Sequence, residues 1–234
     1  MIPEVYCHYL GKIDYKKGWE YQEAFFNAAI SRKKRIRTEG NGPLPENHLI
    51  FCEHPHVYTL GKSGDRENLL IDDHALKEKE AVFYKTNRGG DITYHGPGQL
   101  VVYPIFDLEQ FFTDIHKYMR FLEESVIKTL EVYNIVAERS KGLTGVWIQP
   151  QKSQARKICA MGVKSSRWVT MHGIGFNINP NLSYFENIIP CGISDKNVTS
   201  LSKELGKEIT TNEVTPIFLE KMAEQFNFKP ITFK

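Results

Sequence analysis

The chain has 234 residues, of which 41% are hydrophobic and 25% are charged, as is typical of a soluble globular protein with a buried core. The formal net charge of +2 argues against a nucleic-acid partner, and no apolar stretch approaches the roughly 18 residues of a membrane span. No change of composition marks a linker. We therefore expect one domain over residues 1–234, with neither a nucleic-acid nor a membrane partner.

The first predicted elements are a strand at 4–10, an amphipathic helix at 17–37, and β-rich segments at 48–52 and 57–60. Pro55 lies between the last two, where a turn or an edge suits it better than a central strand. Further strands are predicted at 81–86, 92–95 and 100–105, and a second long helix at 111–133. Strands at 145–148, 157–163 and 171–178 follow, then closing helices at 199–205 and 215–226, with Pro216 in the first turn. Strands come in runs rather than alternating with helices, which favours an α+β fold around a mixed sheet.

A glycine-rich run occupies residues 88–99, between two predicted strands. Gly89-Gly90 and Gly96-Pro97-Gly98 bracket a short strand, and such bends let backbone amides approach a ligand closely. Arg88 at its start could bind a carbonyl, a carboxylate or a phosphate. The run has neither the P-loop nor the dinucleotide-binding spacing. A plain hairpin with glycine corners is the alternative, but the clustered Arg, His, Tyr and Gln favour a binding site.

Four cysteines are widely spaced, with no CxxC pair, and the start of the chain has no basic and apolar leader. We expect free thiols and a cytoplasmic location. Cys7, Cys52 and Cys159 lie in apolar or strand-like surroundings and are predicted to be core residues. Cys191 differs because it stands between a proline and a glycine, on backbone that is not helical. This position suggests a nucleophile, and the working hypothesis is a cysteine acyltransferase.

A reactive thiolate needs a neighbouring cation, and Lys157 is the candidate because it opens an otherwise apolar strand. The alternative is a lysine that extends from a strand edge into solvent. A His/Cys pair formed by Cys191 with His95 or His172 is also open. A metal site at Cys52, His54 and His56 is disfavoured because Pro55 interrupts the strand. No metal and no cofactor are expected.

Four ordered motifs between residues 50 and 200 resemble those of lipoyl(octanoyl) transferases. They are the runs 54–61 (HPHVYTLG), 88–104 (RGGDITYHGPGQLVVYP), 157–163 (KICAMGV) and 172–178 (HGIGFNI), the last leading into Pro190-Cys191-Gly192. The resemblance implies the fold of biotin and lipoate protein ligases, a mixed, largely antiparallel sheet flanked by helices. By the same resemblance Cys191 is the acyl-thioester nucleophile, and Lys157 lowers its pKa. The implied acyl-pocket residues are Arg88, Gly89, Gly90, Asp91, Ile92, Thr93, Tyr94, His95, Ala160, Met161, Gly162, Gly173, Ile174 and Gly175.

The implied reaction transfers an octanoyl group from octanoyl-acyl carrier protein to a lysine of a lipoyl domain, the first step of protein lipoylation. The implied acceptors are the lipoyl domains of 2-oxoacid dehydrogenase E2 subunits and the glycine cleavage H protein. Two alternatives stay open. One is an ATP-dependent lipoate or octanoate ligase of the same fold, and the other is a non-catalytic acyl-binding module.

Overall fold

The computed structural model describes residues 2–189 and 197–232, and its centre is a large mixed sheet. The strands run in the order β12-β1-β2-β6-β10-β9-β8-β7, and β11 pairs with the start of β9. They are β1 (Glu4–Lys12), β2 (Asn47–Glu53), β6 (Gln99–Ile105), β7 (Glu138–Arg139), β8 (Val146–Ile148), β9 (Arg156–Ser166), β10 (Val169–Asn177), β11 (Asn197–Val198) and β12 (Lys229–Thr232). The pairs β1–β12, β1–β2 and β9–β11 are parallel and the others are antiparallel.

A small second sheet, in the order β4-β3-β5, carries the glycine-rich run. Its strands are β3 (Val57–Leu60), β4 (Val82–Lys85) and β5 (Ile92–His95). The helices are α1 (Tyr15–Glu39), α2 (Asp73–Glu78), α3 (Ile115–Val132), α4 (Leu201–Leu205) and α5 (Thr211–Phe226), with short 3-10 turns at Arg66–Asn68, Leu108–Gln110 and Leu182–Asn187. None of the helices in the described ranges combines the length and apolarity that crossing a bilayer demands.

Helices cover both faces of the large sheet because its central strands are apolar on both sides. On β6, Val101 and Tyr103 pack with Phe26 of α1, while Val102 faces the opposite cluster with Leu122 of α3. This alternation follows from the two-residue period of a strand. The predicted mixed, largely antiparallel sheet with flanking helices is confirmed.

The starts of two predicted helices differ from the structure by four residues, and the remaining helix boundaries differ by at most two. The α3 helix begins at Ile115 rather than at 111, because the Asp114 side chain accepts the Lys117 N–H and caps it there. The α5 helix begins at Thr211, capped by a reciprocal pair between Thr210 and Glu213, so Pro216 lies inside it rather than in its first turn. The short elements α2, β7, β11 and β12 were not predicted, since segments of two to six residues carry little periodic signal.

Candidate active site

A cavity of about 430 Å³ lies between the glycine-rich run, strands β9 and β10, and the N-terminal end of α1. This volume suits a small-molecule ligand, for which pockets of about 300–1,000 Å³ are usual. Every predicted site residue in the described part of the chain lines it, except Tyr94. Those residues are Arg88, Gly89, Gly90, Asp91, Ile92, Thr93, His95, Lys157, Ala160, Met161, Gly162, Gly173, Ile174 and Gly175.

Arg88 builds the cavity wall from inside the protein. Its guanidinium donates to the Thr59 carbonyl (2.6 Å) and hydroxyl (3.0 Å) and to the Gly89 carbonyl (3.0 Å). The Gly89 N–H donates to Val163 O of β9 at 2.8 Å, and Gly90 bends the chain with a φ of 86°. Arg88 therefore fastens the glycine-rich run to β3, and the run rests on the large sheet.

The glycines of the cavity floor permit close approach by protein groups. A Cβ at Gly162 would lie 2.8 Å from Gly89 O, and one at Gly175 would lie 2.9 Å from Gln99 Oε1. A Cβ at Gly173 would meet the backbone of β6 at Val102. Gly173 and Gly175 therefore make room for strand packing and for the Gln99 side chain.

An irregularity in β9 sets the direction of Lys157. The adjacent residues Val146 and Trp147 of β8 pair with Cys159 and Lys157, so Ile158 is an extra residue, as in a β-bulge. Ile158 and Cys159 are consequently both buried in one core cluster. Regular alternation from Ala160 would place Lys157 on the other face of β9, and the bulge puts the two residues on the same face.

The Lys157 side chain is held between an aromatic ring and a glycine. Its Nζ lies 4.6 Å from the centroid of the Trp147 ring, a favourable cation–π distance. Gly145 has a φ of 108°, and a Cβ there would lie 2.5 Å from Cys159 O and 3.6 Å from Lys157 Cε. Gly145 N–H also donates to Glu123 Oε1 at 3.0 Å, and this carboxylate is fully buried. The predicted desolvated setting of Lys157 thus agrees with its half-buried place in the cavity.

Cys191, the predicted nucleophile, lies outside the described residues. On its N-terminal side, Phe185 lines the cavity and the Ile189 N–H donates to Asn68 O at 2.9 Å. On its C-terminal side, Val198 also lines the cavity and pairs with Lys157. The described chain on both sides of Cys191 therefore contributes to this cavity.

The other three cysteines are buried core residues, as predicted. Burial raises the pKa of the Cys7 thiol to about 11 and raises those of Cys52 and Cys159 as well. Thiols in this state are poor nucleophiles at neutral pH.

The histidines around the cavity are neutral at neutral pH. Burial, reinforced by the Arg88 charge, lowers the pKa of His95 to about 3 and that of His172 to about 3. His172 Nε2 lies 2.9 Å from Asn87 Oδ1, and its backbone has a φ of 58° with its N–H donating to the Gln22 side chain. A histidine held neutral in this way does not supply the cation that a thiolate needs, which favours Lys157 for that role.

Tyr94 differs from the prediction. Its side chain is fully buried away from the cavity and packs against Tyr58, Tyr184 and Phe185, with its hydroxyl 2.7 Å from His56 Nδ1. Alternation along β5 explains this, because Tyr94 lies between Thr93 and His95, which line the cavity.

Several lining residues were not predicted as site residues. They are Tyr15, Tyr103, Met119, Gly142, Leu143, Thr144, Val163, Phe185 and Val198. Met119 carried a partial signal, since it belongs to the apolar stripe of the second long helix, but that stripe indicated only core packing.

Both histidines of the disfavoured metal site have hydrogen-bond partners within the protein. His54 Nδ1 lies 2.7 Å from Ile13 O, so it donates, and Nε2 accepts from the Tyr103 hydroxyl at 2.8 Å. Within residues 2–189 and 197–232, no group of three His, Cys, Asp or Glu side chains has an arrangement that could hold a metal ion.

A family model described as the lipoyl protein ligase A/B catalytic domain matches residues 14–223. The chain belongs to this family. An octanoyltransferase of Christiangramia forsetii is 59% identical over 227 residues, covering 97% of each chain. One of Cytophaga hutchinsonii is 57% identical over 220 residues, covering 93% of this chain and 90% of the relative. The family predicted from the four motifs is confirmed, and so is the acyltransferase class.

Solved structures confirm the predicted fold. A bipartite lipoate protein ligase of Thermoplasma acidophilum superposes with a TM-score of 0.71 at 15% identity, covering 100% of this chain and 88% of the other. A lipoate-protein ligase A bound with ATP gives a TM-score of 0.67 at 14% identity, covering 100% and 90%. A biotin protein ligase of Aquifex aeolicus gives 0.53 at 17% identity, covering 94% and 70%. At these identities the similarity describes the fold alone.

Proposed function

We propose that this protein transfers an octanoyl group from octanoyl-acyl carrier protein to a lysine of lipoyl domains, through a thioester on Cys191. The acceptors are the lipoyl domains of 2-oxoacid dehydrogenase E2 subunits and the glycine cleavage H protein. The observation that carries the proposal is the shared cavity. The glycine-rich run, Lys157 and strands β9 and β10 all line it, and so does described chain on either side of Cys191.

In the first step the Cys191 thiolate attacks the thioester carbon of the octanoyl carrier. The bond from that carbon to the carrier sulfur breaks, and the leaving carrier thiolate takes up the proton of the Lys157 ammonium, which leaves Lys157 neutral for the second step. One thioester replaces another, so the step needs no ATP. The Lys157 ammonium stabilises the Cys191 thiolate before attack.

In the second step the acceptor lysine, after losing a proton from its ammonium, attacks the acyl-enzyme. A C–N bond forms, the bond from carbon to Cys191 sulfur breaks, and the product is an amide. Neutral Lys157 is the acceptor of the lysine's proton. The amide is more stable than the thioester, so the overall transfer runs forward.

The apolar side chains around the cavity suit an eight-carbon chain. Met119, Leu143, Met161, Ile174 and Val198 contribute aliphatic surface to its walls. Each buried methylene contributes about 0.8 kcal/mol, so a chain that fills the available depth is favoured over a shorter one.

The test is to mix the protein with octanoyl carrier and an apo lipoyl domain without ATP and to measure intact masses. We expect octanoylated lipoyl domain and, when the acceptor is omitted, octanoylated enzyme. Cys191→Ala and Cys191→Ser should abolish the enzyme adduct, whereas Cys52→Ala should retain it. Full transfer by Cys191→Ala would refute the cysteine mechanism.

The same assay separates the transferase from its alternatives. Product formed only from free octanoate and ATP would indicate a ligase. Octanoyl binding with unreactive Cys191 would indicate a non-catalytic acyl-binding module. Product from carrier thioester without ATP is the outcome that we expect.

A further inference from the structure

A line of three hydrogen bonds runs from the cavity into the large sheet. His95 Nδ1 lies 2.6 Å from Gln99 Oε1, and Gln99 Nε2 lies 2.8 Å from Asn177 Oδ1. Asn177 Nδ2 lies 3.0 Å from the backbone carbonyl of Thr199. All four residues are buried, with exposed fractions of 8% or less.

The carbonyl at the end fixes the direction of the whole line. A carbonyl only accepts, so Asn177 donates through Nδ2 and turns Oδ1 toward Gln99. Gln99 must then donate through Nε2, which also lies 3.3 Å from the carbonyl of Tyr94. Its Oε1 faces His95, and the His95 Nδ1 atom must therefore carry the hydrogen.

A neutral histidine with hydrogen on Nδ1 has a lone pair on Nε2. Burial, together with the electrostatic effects of His54, Arg88 and His172, lowers the pKa of His95 to about 3. The ring is also fixed, since it stacks on Tyr15 at 6.0 Å and meets His54 edge-on at 6.1 Å. Within the described residues no hydrogen bond to His95 Nε2 is formed, and His95 lines the cavity. His95 thus offers an acceptor to a ligand.

We propose that His95 Nε2 accepts a hydrogen bond from the amine of the incoming acceptor lysine, and that Gln99 and Asn177 are positioning residues that hold this tautomer. The proposal rests on the proposed function. Among the reacting groups of the two substrates, the thioester has no donor, whereas the lysine nitrogen carries N–H groups. An Nε2 lone pair would repel the oxyanion of a tetrahedral intermediate, so His95 does not form part of an oxyanion site.

The role of His95 is orientation and not proton transfer. A histidine whose pKa is about 3 does not take a proton from an amine, and the proton goes to neutral Lys157 as proposed above. The hydrogen bond fixes the orientation of the amine nitrogen in the cavity. The same line also reaches Lys157, because the Thr199 N–H donates to the Lys157 carbonyl at 2.9 Å.

The first test measures the tautomer without any reaction. In protein labelled with ¹⁵N-histidine, NMR at neutral pH should show His95 with hydrogen on Nδ1 and none on Nε2, assigned by loss of the signals in His95→Gln. Gln99→Leu removes the acceptor of the Nδ1 hydrogen and should lose this tautomer. Hydrogen on Nε2 in the wild-type protein would overturn the proposal.

The second test separates the two half-reactions in single-turnover experiments with octanoyl carrier and an apo lipoyl domain. Gln99→Leu should leave acylation of the enzyme little changed and slow aminolysis about tenfold to a hundredfold, the range for one lost hydrogen bond to a reacting group. Equal slowing of both steps, or unchanged aminolysis, would overturn the role of His95.

Gln110→Leu is the matched control, since Gln110 Nε2 donates to the Pro45 carbonyl at 2.7 Å away from the cavity. It should change neither step. If the wild-type protein transfers no octanoyl group, the proposed function and the lysine partner both fail. Suppose that the wild-type protein transfers octanoyl and carries hydrogen on His95 Nδ1, but Gln99→Leu has a normal aminolysis rate. That result would refute only the acceptor lysine as the hydrogen-bond partner of His95.

Discussion

Two walls of the cavity are fixed by opposite means. The histidine wall is the part lined by His95, which is held from behind by hydrogen bonds to the uncharged side chains of Gln99 and Asn177. The lysine wall is the part lined by Lys157, and the adjacent Gly145 is held by a charged group, the buried carboxylate of Glu123.

The difference follows from the group that each wall offers to the substrates, which is a neutral hydrogen-bond acceptor at His95 and an amine at Lys157. A neutral acceptor in a buried place needs only a fixed tautomer, and amides provide this without further burial of charge. The Lys157 amine lies in partly desolvated surroundings, where its Nζ faces the Trp147 ring and the bulge in β9 sets its direction. Glu123 is satisfied by Arg120 at 2.9 Å, Arg139 at 3.0 Å and the Gly145 N–H. The Glu123 charge behind the lysine wall is thus compensated by two arginines, whereas the hydrogen bonds that hold His95 join uncharged side chains.

Loss of the lysine amine should give the largest effect. We expect Lys157→Ala to lower octanoyl transfer by about 10²- to 10⁴-fold, the usual range for a group that transfers protons, and to move thiol alkylation to higher pH. Alkylation rates across pH and single-turnover transfer would measure this. Lys164→Ala is the control because Lys164 lies on the same strand with Nζ 4.9 Å from the centre of the Phe26 ring. An unchanged alkylation profile in Lys157→Ala would remove the assigned role.

The anchor of the lysine wall should have an intermediate effect. Glu123→Ala leaves the Gly145 N–H without its acceptor and separates two arginines from a buried carboxylate, so we expect a loss of about 3 kcal/mol in the free energy of unfolding. Glu124→Ala is the matched control. Glu124 pairs with the same Arg139 at 2.5 Å but is 29% exposed, and its loss should cost less than about 1 kcal/mol. Urea unfolding of both variants, with transfer rates, would compare them, and equal losses would contradict an anchoring role.

Lowering the pH should reduce the free energy of unfolding gradually, and the buried histidines should account for most of the loss. Burial keeps the pKa of His95 and His172 to about 3 and that of His48 to about 4, below the usual value of 6.5. Below about pH 6.5 the unfolded chain binds protons that the folded protein does not. The free energy of unfolding therefore decreases as the pH is lowered. The expected loss is about 1.4 kcal/mol per pH unit for each such histidine, until pH reaches the folded pKa.

Urea unfolding at a series of pH values would measure this slope, and His95→Gln should reduce it by the share of one histidine. Glu204 adds to the loss at lower pH, because its bond to Arg156 holds its pKa below the usual 4.5. Stability that does not change between neutral pH and pH 4 would contradict the neutral state of the buried histidines.

The parts that could be predicted from the sequence are those with local signals. The long helices α1 and α3 have apolar residues three and four apart, and the strands around the glycine-rich run have apolar β-branched residues. The motifs also indicated which segments form the cavity, since all four supply its walls or lie beside them. Tyr94 could not be separated from His95 in this way, because adjacent residues of β5 face opposite sides and a motif does not say which side is the cavity.

The amino-acid sequence by itself determined the family, the elements with clear periodicity and the segments that carry the site. Only the tertiary structure decided that Ile158 is an extra residue, which puts Lys157 on the cavity face, and that Thr199 fixes the tautomer of His95 through two amides. The physical reason is the distance along the chain over which each interaction acts. Periodicity and glycine act within a few residues, whereas the pairing register of β8 with β9 and the hydrogen bond from Asn177 to Thr199 join groups that come together only when the sheet has formed.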